Sequence, residues 1–273
     1  MDHRPRPVQL LRRPELGQQH DVQPVPHSGL VPRRTAPLAA IQLRSAASDA
    51  ELHTAALPSR PRWVHYGSSI SQSAEAEGPT ETWPAATAKT AQLNLTGLGF
   101  AGNAMLDRFV ARTIRNLPVD FISLEIGTNI VEQAAMRRRT FLPAVHGFLD
   151  TIRETHPDTP ILIISPIPCP VLESRPGPRC AMRPPAGQLE ATGHTEDIPA
   201  GALTLTVVRE QLQLMVKQRG QQDPALAYLD GRILLRPDET GDLHDGIHPN
   251  AAGYLRMGAR PARVLAEKYV LSG

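Results

Sequence analysis

From Arg62 onward the chain alternates short apolar runs with stretches of helical period, and this alternation limits the fold more than any other property of the sequence. The runs Trp63–Tyr66, Leu93–Leu98, Asp120–Ile126, Pro160–Ile167 and Leu226–Leu229 are of the kind buried on both faces of a sheet. Between them, Met105, Phe109, Val110, Thr113 and Leu117 fall on one helical face and Arg108, Arg112 and Arg115 on another, with Asn103 placed as N-cap. Phe141, Val145, Phe148, Leu149 and Ile152 repeat that spacing, as do Leu205, Val208, Leu212 and Met215; such stripes are core. A helix is expected to start near Trp83-Pro84, where proline suits a first turn, and the last helix near Asn250, with Pro261 breaking or kinking it before Tyr269. Strand, helix, strand in this order predicts an α/β fold: a parallel sheet of about five strands, helices on both faces, right-handed crossovers, and functional groups on the loops after the strands.

Residues 1–60 read differently. Pro and Arg are scattered through Met1–Pro37 with no sustained period, so a largely unstructured segment is expected there. Only Leu38–Leu43 offers a short strand or a helical turn, and Pro58-Ser59-Arg60-Pro61 marks a boundary, leaving 61–273 as the folded domain. Inside it, the Pro- and Gly-rich segment from Cys169 to about Gly201 is a long loop, expected to be a lid, a binding loop or a disordered insertion.

A formal charge of +2 with both signs interleaved, and 4% aromatic residues, make no case for nucleic acid or an anionic membrane surface. No apolar run approaches the roughly 20 residues of a membrane span, and the N-terminus lacks an apolar signal core, so a cytoplasmic location is expected. Two cysteines, Cys169 and Cys180, suit neither a disulfide scaffold nor a four-ligand zinc site; they read as free thiols or one loop clip.

The first strand ends in Gly67-Ser68-Ser69, a glycine followed by a hydroxyl at a sheet's carboxyl edge, where ligands collect. Alone, this is ordinary turn chemistry, since serine is a weak nucleophile without a base. Three further clusters fall where a strand-end site needs them: Gly99-Phe100-Ala101-Gly102-Asn103 after the second strand, Gly127-Thr128-Asn129 after the third, and Asp245-Gly246-Ile247-His248-Pro249 before the final helix.

Together these blocks resemble the SGNH hydrolases, or GDSL lipase/esterase family, whose four blocks carry Ser, Gly, Asn and His in that order. The resemblance runs from about Arg62 to the end. It implies a three-layer α/β/α, flavodoxin-like fold, with Ser69 as nucleophile, His248 as base and Asp245 as the carboxylate orienting the imidazole. It also implies an oxyanion hole from the Ser69 and Gly102 N–H groups and the Asn129 amide. Gly99 competes with Gly102, which is favoured as lying directly before a helix start. Two positions depart from the family: Ser68 replaces the Asp that usually precedes the nucleophile, and Ile130 the Asp that usually follows the Asn. Some relatives carry a β-rich module upstream, and the sequence of residues 1–60 does not resemble one.

Blander readings stand beside these. His244 and His248 form an i, i+4 metal pair only in a helix, which Pro249 disfavours, and no third ligand is near in sequence. His65 reads as a structural histidine and Arg137-Arg138-Arg139 as a solvated charge run. The expected function is hydrolysis of a small-molecule carboxylic ester through an acyl-serine, with short acyl groups on a carbohydrate or other polar alcohol first, and no cofactor or metal. A lipase or thioesterase, or a non-catalytic binding protein on the same fold, are the alternatives. Oligomeric state is not legible.

Overall fold

In a computed structural model of the chain, residues 59–181 and 189–265 are described. The expectations for residues 1–58 and 266–273 lie outside that range. Five parallel strands form the main sheet: β1 (Arg62–Gly67), β2 (Asn94–Gly99), β3 (Phe121–Glu125), β4 (Ile161–Ile164) and, last in sequence, β7 (Leu226–Leu229), in the order β2-β1-β3-β4-β7. Each coincides with one of the apolar runs. Burial on both faces explains the composition: Trp63 to Gly67 and all of β3 and β4 are buried.

Helices α1 (Ser69–Gln72), α2 (Trp83–Ala91), α3 (Arg108–Asn116), α4 (Thr128–Glu132), α5 (Arg138–Arg153), α6 (Leu205–Arg219) and α7 (Ala251–Leu265) connect and flank the strands. Thr82 caps α2 through its hydroxyl, with Pro84 in the first turn as expected. Helix α2 packs on α7, where the Thr87 hydroxyl donates to the Gly258 carbonyl at 2.8 Å, and α3 packs on α5. The stripes of α5 and α6 are buried as read.

Helix α3 differs. It starts at Arg108 behind Asp107, not behind Asn103, and buries Val110, Ala111 and Ile114 while Phe109 is 60% exposed. The start slips because Leu106 has φ +61 and its N–H is held by the Tyr66 hydroxyl at 3.0 Å, so the chain through Met105 is a loop. Pro261 does not end α7, which runs through it to Leu265. The segment after β4 has structure of its own, a 3₁₀ turn at Pro170–Leu172, an antiparallel hairpin of β5 (Arg179–Ala181) and β6 (Leu189–Ala191), and a second turn at Thr195–Asp197.

The strand order reverses at β1: the chain goes to β2 on one side and returns to β3 on the other. Such a switch point opens a crevice at the carboxyl ends of the strands, and Ser69 follows β1 there.

Candidate active site

At the end of β1, Gly67 is required by close approach. A Cβ there would lie 2.1 Å from Ser71 Oγ and 2.8 Å from Glu125 Oε2, so any side chain would displace the turn. Ser68 then caps α1, its hydroxyl accepting the Ile70 N–H at 3.2 Å, and Ser69 is the first helical residue. At that position its own N–H has no intrahelical acceptor.

Ser69 Oγ lies 2.8 Å from His248 Nε2, and His248 Nδ1 lies 2.6 Å from Asp245 Oδ2. Ser69 and His248 are buried, and the loop carrying the histidine is fixed by Asp245 Oδ1, which accepts the N–H groups of Ile247 at 3.0 Å and His248 at 2.7 Å. Since an ionised carboxylate only accepts, Nδ1 carries the ring proton and Nε2 presents a lone pair to the serine hydroxyl. Partial burial would push the Asp245 carboxyl up. The His248 ring and the two backbone N–H groups outweigh that and hold it well below the usual carboxylate range. The three side chains named from the sequence are therefore brought together, across 179 positions of chain.

His244 is turned onto the backbone of the His248 loop. Its ring Nδ1 and its N–H both approach the His248 carbonyl, at 2.9 and 3.1 Å, and no cluster of potential metal ligands occurs among the described residues.

Asn129 is fully buried in the first turn of α4, directly after β3. Its Oδ1 accepts the Ala104 N–H at 3.1 Å and its Nδ2 donates to Glu132 Oε2 at 2.9 Å. An amide has two N–H donors, so one remains for a ligand. The bond from Ala104 ties the loop after β2 to the loop after β3, on either side of the β1 end, and Gln133 adds a second tie to the Gly102 carbonyl.

The two glycines after β2 have different roles. Gly99 pairs with Gly67 in register, and a Cβ on it would lie 2.7 Å from the Gln72 backbone N, so close packing on α1 accounts for it. Gly102 has φ +69, in a turn several residues before α3 rather than at a helix start. The sequence-based reason for favouring it is corrected. Its place beside the Ala104–Asn129 tie keeps it a candidate.

Sequence reasoning missed Glu125. At the end of β3 it is buried and accepts four hydrogen bonds: from the Ser68 N–H at 2.7 Å, the Ser68 and Ser71 hydroxyls at 2.8 and 3.1 Å, and the Thr128 hydroxyl at 3.0 Å. Its signal was a lone carboxylate in an apolar run. Ser68, where the family usually has Asp, thus meets a carboxylate from the neighbouring strand. Ile130, the other departure, is core.

His65 is structural, as read. Trp63 Nε1 donates to Ser123 Oγ at 2.8 Å, and Ser123 Oγ and Ser71 Oγ lie 2.7 and 2.8 Å from His65 Nδ1 and Nε2. Because Ser71 gives its one proton to Glu125, it accepts from His65 Nε2–H, and in the neutral ring Nδ1 then accepts from the Ser123 hydroxyl. Burial pushes the His65 pKa down to about 3, so the ring is neutral. Cys169 is a buried free thiol, pushed well up by burial; Arg137, Arg138 and Arg139 are exposed.

At the switch point of this five-stranded parallel sheet Ser69, His248 and Asp245 thus meet in one chain of contacts. The GDSL-like Lipase/Acylhydrolase family matches residues 65–256, and the chain belongs to it. Among solved structures it is similar to the salicylyl-acyltransferase SsfX3 from a tetracycline biosynthetic pathway, at 31% identity and TM-score 0.63, covering 78% of this chain and 56% of that one. A GDSL-like lipase from Bacteroides ovatus aligns at 22% identity and TM-score 0.59 over 81% of this chain and 57% of its own. A family two carbohydrate esterase from Clostridium thermocellum, in complex with cellohexaose, aligns at 14% and 0.55 over 80% and 67%. The last two likenesses carry the fold alone. The chain spans just over half the length of the first two structures. No curated protein matches it. Among the described residues no helix is long and apolar enough to cross a membrane.

Proposed function

We propose that the chain cleaves carboxylic esters through an acyl-serine on Ser69, with His248 as general base and Asp245 as its orienting carboxylate. The observation that supports this best is the continuous contact Ser69–His248–Asp245, at 2.8 and 2.6 Å. Ser69 Oγ attacks the ester carbonyl while His248 Nε2 takes its proton. The carbonyl oxygen, now an alkoxide, is received by the Ser69 and Gly102 N–H groups and the remaining Asn129 N–H. Collapse expels the alcohol, protonated by His248, and leaves the acyl group on Ser69. Water, activated by the same ring, then releases the acid. No step calls for a cofactor.

A short acyl group, acetyl first, on a carbohydrate or other polar alcohol is the substrate class we favour over a lipid or thioester. The likeness to an acyltransferase supports one second reading, in which an alcohol replaces water in the last step. Initial rates on acetyl to long-chain esters and thioesters, with and without added alcohols, test this. Hydrolysis fastest for acetyl esters and abolished by Ser69→Ala is expected. Preference for long chains overturns the substrate class, ester product in place of acid selects acyl transfer, and binding without turnover of any ester leaves a non-catalytic protein.

A further inference from the structure

The long segment after β4 reaches the candidate oxyanion hole through one side chain. Glu132 ends α4 three residues after Asn129, a spacing that puts both on one helical face. Its side chain is 5% exposed; Oε2 accepts from Asn129 Nδ2 at 2.9 Å and Oε1 accepts from Nε of Arg179, on β5. The hairpin that carries Arg179 is seated backbone to backbone on α4, since a Cβ on Gly177 would lie 1.9 Å from the Val131 carbonyl oxygen.

Building on the oxyanion reading above, we propose that Glu132 and Arg179 form a positioning pair for the Asn129 amide. Glu132 fixes which way the amide faces. Flipping it would set its NH₂ against the Ala104 N–H and its oxygen against the Glu132 carboxylate, so the orientation with one N–H free is locked. Yet a buried carboxylate next to the hole opposes the negative charge that develops there, strongly so in a site screened from water. The Arg179 guanidinium supplies the opposite charge, so the amide is held with a much weaker field against the alkoxide than an unpaired carboxylate would exert. The segment therefore contributes a charge to the site, beyond any role as a cover.

The test is a set of double-mutant cycles with an acetyl ester, reading kcat and KM separately. Glu132→Gln should lower kcat by about 10–100-fold, as misplacement of a catalytic group does, with a smaller change in KM. In an Asn129→Ala background the same change should alter kcat by no more than about twofold, because the amide it positions is gone and only the ordinary scatter of such cycles remains. Arg179→Met should lower kcat further than Glu132→Gln, because it leaves the carboxylate unpaired, and adding Glu132→Gln to it should recover activity; Arg179→Lys should retain part. A Glu132→Gln loss of equal factor with and without the Asn129 amide overturns the pair while leaving the oxyanion reading intact. Asn129→Ala with undiminished kcat overturns that reading and the pair together. Should Glu132→Gln fail to fold, the Arg179 variants decide: Arg179 is 26% exposed, and equal kcat in Met, Lys and parent proteins overturns the proposal.

Discussion

Asp245 holds His248 twice, with Oδ2 2.6 Å from the ring Nδ1 and Oδ1 accepting the backbone N–H of the same residue at 2.7 Å. One carboxylate thus sets both the tautomer of the imidazole and the path of the loop that carries it. In Asp245→Asn an amide NH₂ facing Nδ1 favours the proton on Nε2, where it blocks acceptance from Ser69. We expect kcat to fall by about 10³–10⁴-fold with the fold retained, measured on an acetyl ester. Since the Asp245 carboxyl is depressed in the folded state, its contribution to stability is fully present above the usual carboxylate range and is lost progressively as pH falls below that range towards the depressed folded value. An unchanged plateau would count against the orienting role.

Glu125 anchors the turn that carries Ser69 through Ser68 and Ser71. Glu125→Gln replaces two accepting oxygens by one oxygen and an NH₂, among four donors that all need acceptors. Leaving buried donors unpaired costs about 1–3 kcal/mol each, so thermal unfolding should show a clear drop in Tm, and kcat should fall as Ser69 loses its placement. Ser68→Ala removes one of those bonds and should cost less on both measures. Equal loss in the two variants would contradict this.

His65 should make the protein acid-labile. Its pKa is about 3 when folded against 6.5 for a free imidazole, so between those values the unfolded chain binds a proton that the native protein refuses. Stability therefore declines as pH falls from about 6.5 towards 3. His65→Gln should flatten the dependence of Tm on pH across that window, whatever it does to Tm at neutral pH. The same slope in both proteins would remove His65 as its source.

The centre of the sheet was legible because strands buried on both faces have to be largely apolar, and β1, β3 and β4 carried that mark; β2 and β7, at the edges and less buried, were legible as shorter runs of the same kind. Ser69, Asn129, Asp245 and His248 were legible as blocks at strand and loop ends. The start of α3 was not, because Met105 and Leu117 mimic a helical stripe while Tyr66, 40 positions away from Leu106, holds the loop open. Glu125 and the Glu132–Arg179 pair were missed for a related reason. Their meaning depends on which strands are neighbours and on where the hairpin lands, and Arg179 is 47 positions from its partner.

The central claim is that Ser69 is activated by His248 and is the group that carries the acyl chain. Reaction of the folded protein with a fluorophosphonate, followed by peptide mapping, tests it most directly. The account expects one label per chain, on Ser69, with labelling slowed in His248→Ala and absent in Ser69→Ala. A label on Ser68 or Ser71, or none on folded protein that hydrolyses esters, would contradict it.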